Sequence, residues 1–203
     1  MASGRRVPCR GASRWTEGGA LPRLVALAAL MFVAVPSGAR AARPDRRILV
    51  QLAGGVIAFP SSKELNAGAS FGLSVSWGPI PTIGLEAGYS GSVFTVELPT
   101  GANLAAVENG GYSAALVYPF DWPAAPYVLA GLGLTHRRLV GTEAADEIQP
   151  GTFFRVPLGI GSDLTLRYFT VGLRATYDFV FRDGTPGRTG DELAVTLRLG
   201  ALF

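Results

Sequence analysis

The chain has 203 residues, of which 48% are hydrophobic and 16% charged, with a formal net charge of +3. Residues 1–41 carry six Arg and one Glu, and the remainder holds 12 Lys+Arg against 14 Asp+Glu, a net charge of −2. Without the leading segment no basic stripe remains to neutralise phosphates, so the basic balance of the whole chain is no argument for nucleic acid and no such partner is expected; the single cysteine, Cys9, lies in that segment too, so the rest has no disulfide or thiolate chemistry.

The leading segment comes first in chain order. Leu24–Val35 is an unbroken apolar run of twelve residues, preceded by arginines and followed by Pro36, Ser37 and Ala39-Arg40-Ala41. A basic region, an apolar region and an A-x-A site make a secretory signal with cleavage between Ala41 and Ala42. The run is shorter than the ~20 residues of a spanning helix. The expected organisation is therefore a cleaved signal helix, 1–41, and one folded domain, 42–203.

Beyond it, apolar residues recur at every second position in segments of about ten, separated by turn residues. Alternation of this kind places one apolar and one small or polar face on a strand. Eight strands are predicted. They are Ile48–Phe59, Ala69–Trp77, Thr82–Val93, Gly111–Phe120, Pro126–Leu139, Thr152–Gly161, Leu164–Phe181 and Glu192–Phe203. The apolar face takes Phe71, Leu73, Val75 and Trp77 on the second strand, and Tyr112, Ala114, Leu116 and Tyr118 on the fourth. On the seventh it takes Phe169 through Phe181 at odd positions. Gly78–Pro81, Asp121–Ala125 and Gly161–Asp163 are expected as short turns. Pro60–Ala67, Thr95–Gly110, Val140–Gly151 and Arg182–Asp191 are expected as longer loops. Short and long connections thus alternate, as in a membrane barrel with short periplasmic turns and long outer loops.

A soluble barrel keeps its large apolar residues inside. Here the apolar face is uniformly large, and the opposite face is mostly Gly, Ala, Ser and Thr with a few charges. Eight strands enclose an interior just wide enough for side chains, which suits the small face. The expected fold is all-β: an eight-stranded antiparallel up-and-down transmembrane barrel. Two aromatic girdles are expected. Trp77, Tyr118, Phe120, Trp122, Tyr127, Tyr168 and Phe203 would lie at the periplasmic rim. Phe59, Phe71, Tyr112, Phe154, Phe179 and Phe181 would lie at the outer rim.

These segments together resemble the small eight-stranded bacterial outer-membrane barrels, of the OmpA transmembrane-domain and OmpX kind. The final strand, Glu192–Phe203, closes on an aromatic and resembles the C-terminal strand of such barrels. The resemblance implies that Phe203 is part of the signal read by the barrel-insertion machinery. It also implies a bacterial outer-membrane location, contact with lipid and lipopolysaccharide, and a monomer.

Parity sends Glu86, Arg137, Arg155, Arg174, Asp178, Glu192 and Arg198 into the lumen. Glu86, Arg155 and Arg198 are expected low, Arg137, Asp178 and Glu192 higher, and Arg174 between. Charges in a narrow lumen must pair or bind water, so a structural ion-pair network is expected, with a gated conductance path as the alternative. His136, the one histidine, has lipid-facing parity beside Arg137-Arg138. It has no serine within three residues, so no catalytic role is assigned. With Arg138 it is expected to meet lipopolysaccharide phosphates or solvent. Arg167 is placed to snorkel to headgroups. Gly131-Leu132-Gly133-Leu134 lacks the third glycine of a nucleotide loop. Glu143, Asp146 and Glu147 lack the spacing of a calcium loop. No cofactor or metal is expected. The role read from the sequence is structural or surface-interactive, with the outer loops as contact surfaces. A narrow conductance barrel and a lipid A-modifying enzyme are the alternatives.

Overall fold

The computed structural model describes residues 40–41, 48–62, 64–80, 82–97, 101, 103–120, 124–140, 151–182, 185–186 and 190–203. Eight long strands stand among them: β1 (Ile48–Ala58), β2 (Gly68–Ile80), β3 (Ile83–Glu97), β4 (Asn103–Val117), β5 (Pro126–Val140), β6 (Gly151–Leu166), β7 (Phe169–Arg182) and β8 (Glu192–Leu202). Each pairs antiparallel with its chain neighbour, and β8 pairs with β1 over ten residue pairs, from Leu193↔Ala58 to Leu202↔Leu49. The sheet is therefore a closed up-and-down barrel. Closure leaves no long unpaired edge, the condition for placing strands in lipid. Arg40–Ala41 add a two-residue pairing against Thr165 and Leu164. Ala42, Leu24–Val35 and the junction expected to be cleaved lie outside the described residues.

Large apolar side chains cover the outside. Each of the eight strands contributes at least one, among them Leu52, Leu73, Leu85, Val117, Leu132, Ile160, Phe169 and Leu199. Leu52 and Ile160 are 64% exposed and Phe169 is 68% exposed. Water does not tolerate an apolar belt this extensive, whereas hydrocarbon does. The crossing elements are strands; no helix among the described residues is long and apolar enough to span a membrane.

Three expectations are corrected. Thr95–Gly110 is not a loop. The β3–β4 ladder continues without a break to Glu97↔Asn103, which leaves only residues 98–102 as the connection. The ladder is sustained there because Phe94, Val96 and Ala106 turn inward and pack with Ile57 and Phe59. Leu65, from the preceding connection, bridges to Val96 and adds a further short pairing. Asn109-Gly110-Gly111 has turn composition, but Gly110 and Gly111 lie opposite Thr135 and Leu134 in the β4–β5 ladder. The long-short alternation of connections is correspondingly less regular than expected.

Gly161–Asp163 is not a turn either. It lies inside the β6–β7 hairpin, whose ladder runs on to Leu166↔Phe169. The reversal is made by Arg167 and Tyr168, with Arg167 at φ 62°. A two-residue hairpin loop requires positive φ to match the strand twist. Gly161 instead makes room for a neighbour, because a Cβ there would run into the Tyr127 ring.

The facing of β4 is reversed. Ala114 and Leu116 are buried inside, with Tyr118 just beyond the strand, while Ser113, Ala115 and Val117 face outward. Register decides this, because Ala114 lies opposite inward Glu86 and Ser113 opposite outward Ala87. Side chains opposite each other across a ladder share a face. Size alone assigns the larger residue set to lipid, but here the lumen takes it. Tyr118 and Tyr127 therefore leave the expected rim and stack in the interior at 5.6 Å between ring centroids. Phe59 is also buried, while Tyr112 reaches the lumen and donates to Glu86. Trp77, Phe120, Tyr168 and Phe203 remain exposed toward the turn end, as Phe71, Phe154 and Phe179 do further up. Trp122 lies outside the described residues.

Candidate functional site: the charged lumen

The interior divides into two apolar clusters with polar groups between and around them. At the end carrying the short turns, Ala114, Leu116, Tyr118, Ala125, Tyr127 and Leu129 pack together. At the end carrying the long loops, Ile57, Phe59, Phe94, Val96 and Ala106 do the same. The interior is thus less uniformly small than the alternation suggests.

Glu86 anchors the lower half. Its carboxylate accepts from Arg174 at 2.5 and 2.8 Å, from Arg198 at 2.9 Å, from Tyr112 at 2.7 Å and from Ser76 at 2.9 Å. The guanidiniums are held in turn: Arg174 Nε donates to Tyr127 Oη at 2.9 Å, Arg198 Nη1 to the same oxygen at 3.0 Å, and Arg198 Nη2 to Ser74 at 2.6 Å. Four strands, β2, β3, β7 and β8, meet here with Tyr112 from β4 and Tyr127 from β5. Room for the crossing side chains comes from glycine: a Cβ on Gly88 would lie 2.6 Å from the Tyr112 ring.

Counting from a turn at Gly161–Asp163 places Arg155 level with Glu86, but the turn lies farther on, past Leu166, and Arg155 is correspondingly higher. Asp178 is its diagonal neighbour across the β6–β7 ladder, and Arg155 pairs with it at 3.2 Å and donates to Ser90 at 2.8 Å, with the Tyr112 ring centroid 5.5 Å from its guanidinium carbon. Nearer the loop end, Arg137 pairs with Glu108 at 2.7 Å and approaches Glu192 at 3.5 Å. Phe59, Phe94 and Phe153 surround its guanidinium at 6.0, 5.4 and 5.4 Å. Cation–π contact of this kind helps to hold a buried guanidinium.

Glu108, Asp163 and Gln51 also belong to this interior and are not among the sequence candidates. Glu108 accepts from Arg137 at 2.8 Å and from Thr135 at 2.7 Å; loop composition over 95–110 conceals it. Asp163, which has the composition of a turn residue, is buried and accepts from Gln51 at 3.3 Å. Gln51 is visible as an inward polar residue, and strand parity extended through β4 and β6 reveals the other two.

The remaining candidates lie outside the lumen. His136 is on the outer wall, its Nδ1 3.2 Å from Thr152 Oγ1. Arg138 is exposed. Arg167 lies in the turn, 5.3 Å from the Tyr168 ring centroid. Phe203 is exposed, and its backbone exchanges two hydrogen bonds with Ile48 at 2.9 and 3.1 Å. The acidic stretch Glu143–Glu147 lies outside the described residues. No cluster of three or more His, Cys, Asp or Glu among the described residues is arranged to hold a metal ion.

Among solved structures, the chain is similar to the outer membrane protein OprG from Pseudomonas aeruginosa. Identity is 11%, over 82% of this chain and 98% of that one, with a TM-score of 0.50. Neisserial surface protein A matches at 12% identity over 77% and 96% of the two chains, with a TM-score of 0.49. Ail, the attachment invasion locus protein of Yersinia pestis, matches at 13% identity over 77% and 97%, with a TM-score of 0.47. No protein-family model and no curated protein matches the sequence. The fold is that of the small eight-stranded outer-membrane β-barrels. Its outward apolar belt suits a barrel that crosses a membrane.

Proposed function

We propose that this outer-membrane barrel has a structural and surface-interaction role, with a closed lumen and with its loop end as the contact surface. The observation that carries the reading is the Glu86–Arg174–Arg198–Tyr127 cross-section, set between two apolar clusters. Ions cannot pass a section filled by paired side chains unless those pairs separate, and separating buried pairs costs several kcal/mol. Planar lipid bilayers test this. The purified barrel should give no stable single-channel steps, and reproducible unitary conductance would replace the reading with that of a narrow channel.

The role proposed is not enzymatic. His136 contacts a threonine hydroxyl on the outer wall, and no nucleophile–base–orienter arrangement accompanies it among the described residues. Lipid A should have the same mass spectrum with and without expression. The proposed partners are membrane lipid and lipopolysaccharide, with Arg138 and His136 facing the phosphates, and the insertion machinery during assembly. The proposed state is a monomer.

A further inference from the structure

A polar row crosses the outer wall near the loop end. Asn109, His136 and Thr152 lie opposite one another on β4, β5 and β6 and face outward, with Arg138 at the next outward position of β5. Apolar side chains continue past the row: Val107 and Val93 share the level of Arg138, and exposed Val140 lies beyond it. The row is therefore inside the apolar belt, where hydrocarbon offers polar groups no partner. Nδ1 of His136 meets Thr152 Oγ1 at 3.2 Å, which leaves Nε2 on the other side of the ring. Among the described residues Arg138 has no carboxylate partner. The outward carboxylate of β3, Glu97, stands four residues beyond Val93.

Directly below the row, toward the turn end, the same wall carries an open groove of about 570 Å³. Ala87, Gly111 and Ser113 form its floor, and Leu132, Leu134 and Phe154 rise beside it. Gly111 lies between Tyr89 and Leu134 in its two ladders, both large and exposed, so the side chain it lacks leaves a gap between two that project. Gly111, Leu134 and Phe154 each stand two residues from a member of the polar row, on the same face of the same strand. The groove thus opens beneath the polar groups.

We propose that this wall binds one lipopolysaccharide molecule by its lipid A, with a phosphate on Arg138, His136 and Asn109 and an acyl chain in the groove. A guanidinium with neutral hydrogen-bond donors beside it recognises a phosphate. An apolar groove continuous with those donors takes the chain attached to the same head, so the complement of the whole surface is a phosphorylated lipid. The loop end selects lipid A over phospholipid, because lipopolysaccharide forms the outer leaflet of a bacterial outer membrane. The site rests on the outward placing of the loop end proposed above, and it turns general contact with lipopolysaccharide into one defined complex.

Native mass spectrometry of the detergent-purified protein tests it, with bisphosphorylated lipid A as the probe and phosphatidylglycerol as the competing anionic lipid. Lipid A should load saturably to one equivalent and resist displacement by phosphatidylglycerol. Arg138→Gln should weaken loading by about tenfold or more. Gly111→Leu should also weaken it, by filling the groove; a Cβ there meets nothing nearer than 3.8 Å, so the wall itself is undisturbed. Gly54→Leu puts the same side chain on the outer face of β1, where a Cβ meets nothing within 4 Å, and should load as the unaltered protein does. If one groove variant fails to fold, the other decides. Equal loading of the two lipids, loading that never saturates at one, or equal weakening by Gly54→Leu and Gly111→Leu would overturn the site. Cysteine labelling at Gly101 on intact cells reports the orientation separately. Labelling there without specific loading removes only this site, whereas an inverted barrel removes the outward loop end as well.

Discussion

Glu86 shows how much one side chain can organise in a lumen of this width. Five donor atoms meet its two oxygens, three of them on the guanidiniums of Arg174 and Arg198. Glu86→Ala removes the only carboxylate paired with Arg174 or Arg198 among the described residues. Leaving buried charges uncompensated costs about 3–5 kcal/mol. Urea unfolding in lipid vesicles should show a loss of that size, and Glu86→Gln, which keeps the shape but not the charge, should also destabilise. Glycine matters at the same scale. Gly88→Val would force the Tyr112 ring off its path and break its bond to Glu86. Its unfolding midpoint should fall well below that of Gly101→Val, where a Cβ meets nothing within 4 Å, despite the positive φ of 78° there.

At the scale of the element, β4 gives the sharpest test. Its outward residues are Ser113, Ala115 and Val117, and its inward ones Ala114 and Leu116. Single cysteines can be read cleanly once Cys9 is replaced. A bimane attached at Ala115→Cys or Val117→Cys should be quenched by a lipid-phase quencher, and one at Ala114→Cys should not; the opposite result would restore the facing that side-chain size alone suggests. The hairpin ends give a second test. Gly101→Cys, in the β3–β4 connection, should label with an impermeant reagent on intact cells. Tyr168→Cys, in the β6–β7 turn, should label only after lysis. Labelling at Tyr168 alone would mean that the barrel is inverted in the membrane.

For the whole molecule, stability depends on a ring of eight ladders with hydrocarbon outside and paired charge inside. Leu197 is exposed on β8 beside buried Arg198, so one strand displays both environments at adjacent positions. Arg at a midplane lipid-facing site costs roughly 2–4 kcal/mol. Leu197→Arg should therefore lower bilayer stability by about that amount, measured by denaturant titration in vesicles. The same substitution should matter much less in a detergent micelle, where the charge can reach water. Equal losses in micelle and bilayer would argue against a hydrocarbon neighbour at that position.

The sequence by itself determined that strands would form, how many there would be and that the barrel would be of the membrane kind, because alternation is local and period two is written into each segment. It also determined seven of the inward charges by parity alone. It did not determine where ladders stop. Turn composition at Asn109-Gly110-Gly111 and at Gly161-Ser162-Asp163 resembles punctuation, and only pairing with a neighbour shows that both stretches continue as strand. Glu108 and Asp163 are hidden with them. Nor can alternation tell which face of β4 is the inner one, since Tyr112, Ala114, Leu116 and Tyr118 fit lipid as well as a core. Register against Glu86 settles that, and register along β6 and β7 also puts Arg155 beside Asp178, while Arg174 and Arg198 meet Glu86 across the lumen. Side chains that meet across the closed barrel are separated by up to 124 residues in the chain, so ring closure, which no local pattern encodes, decides which charge meets which.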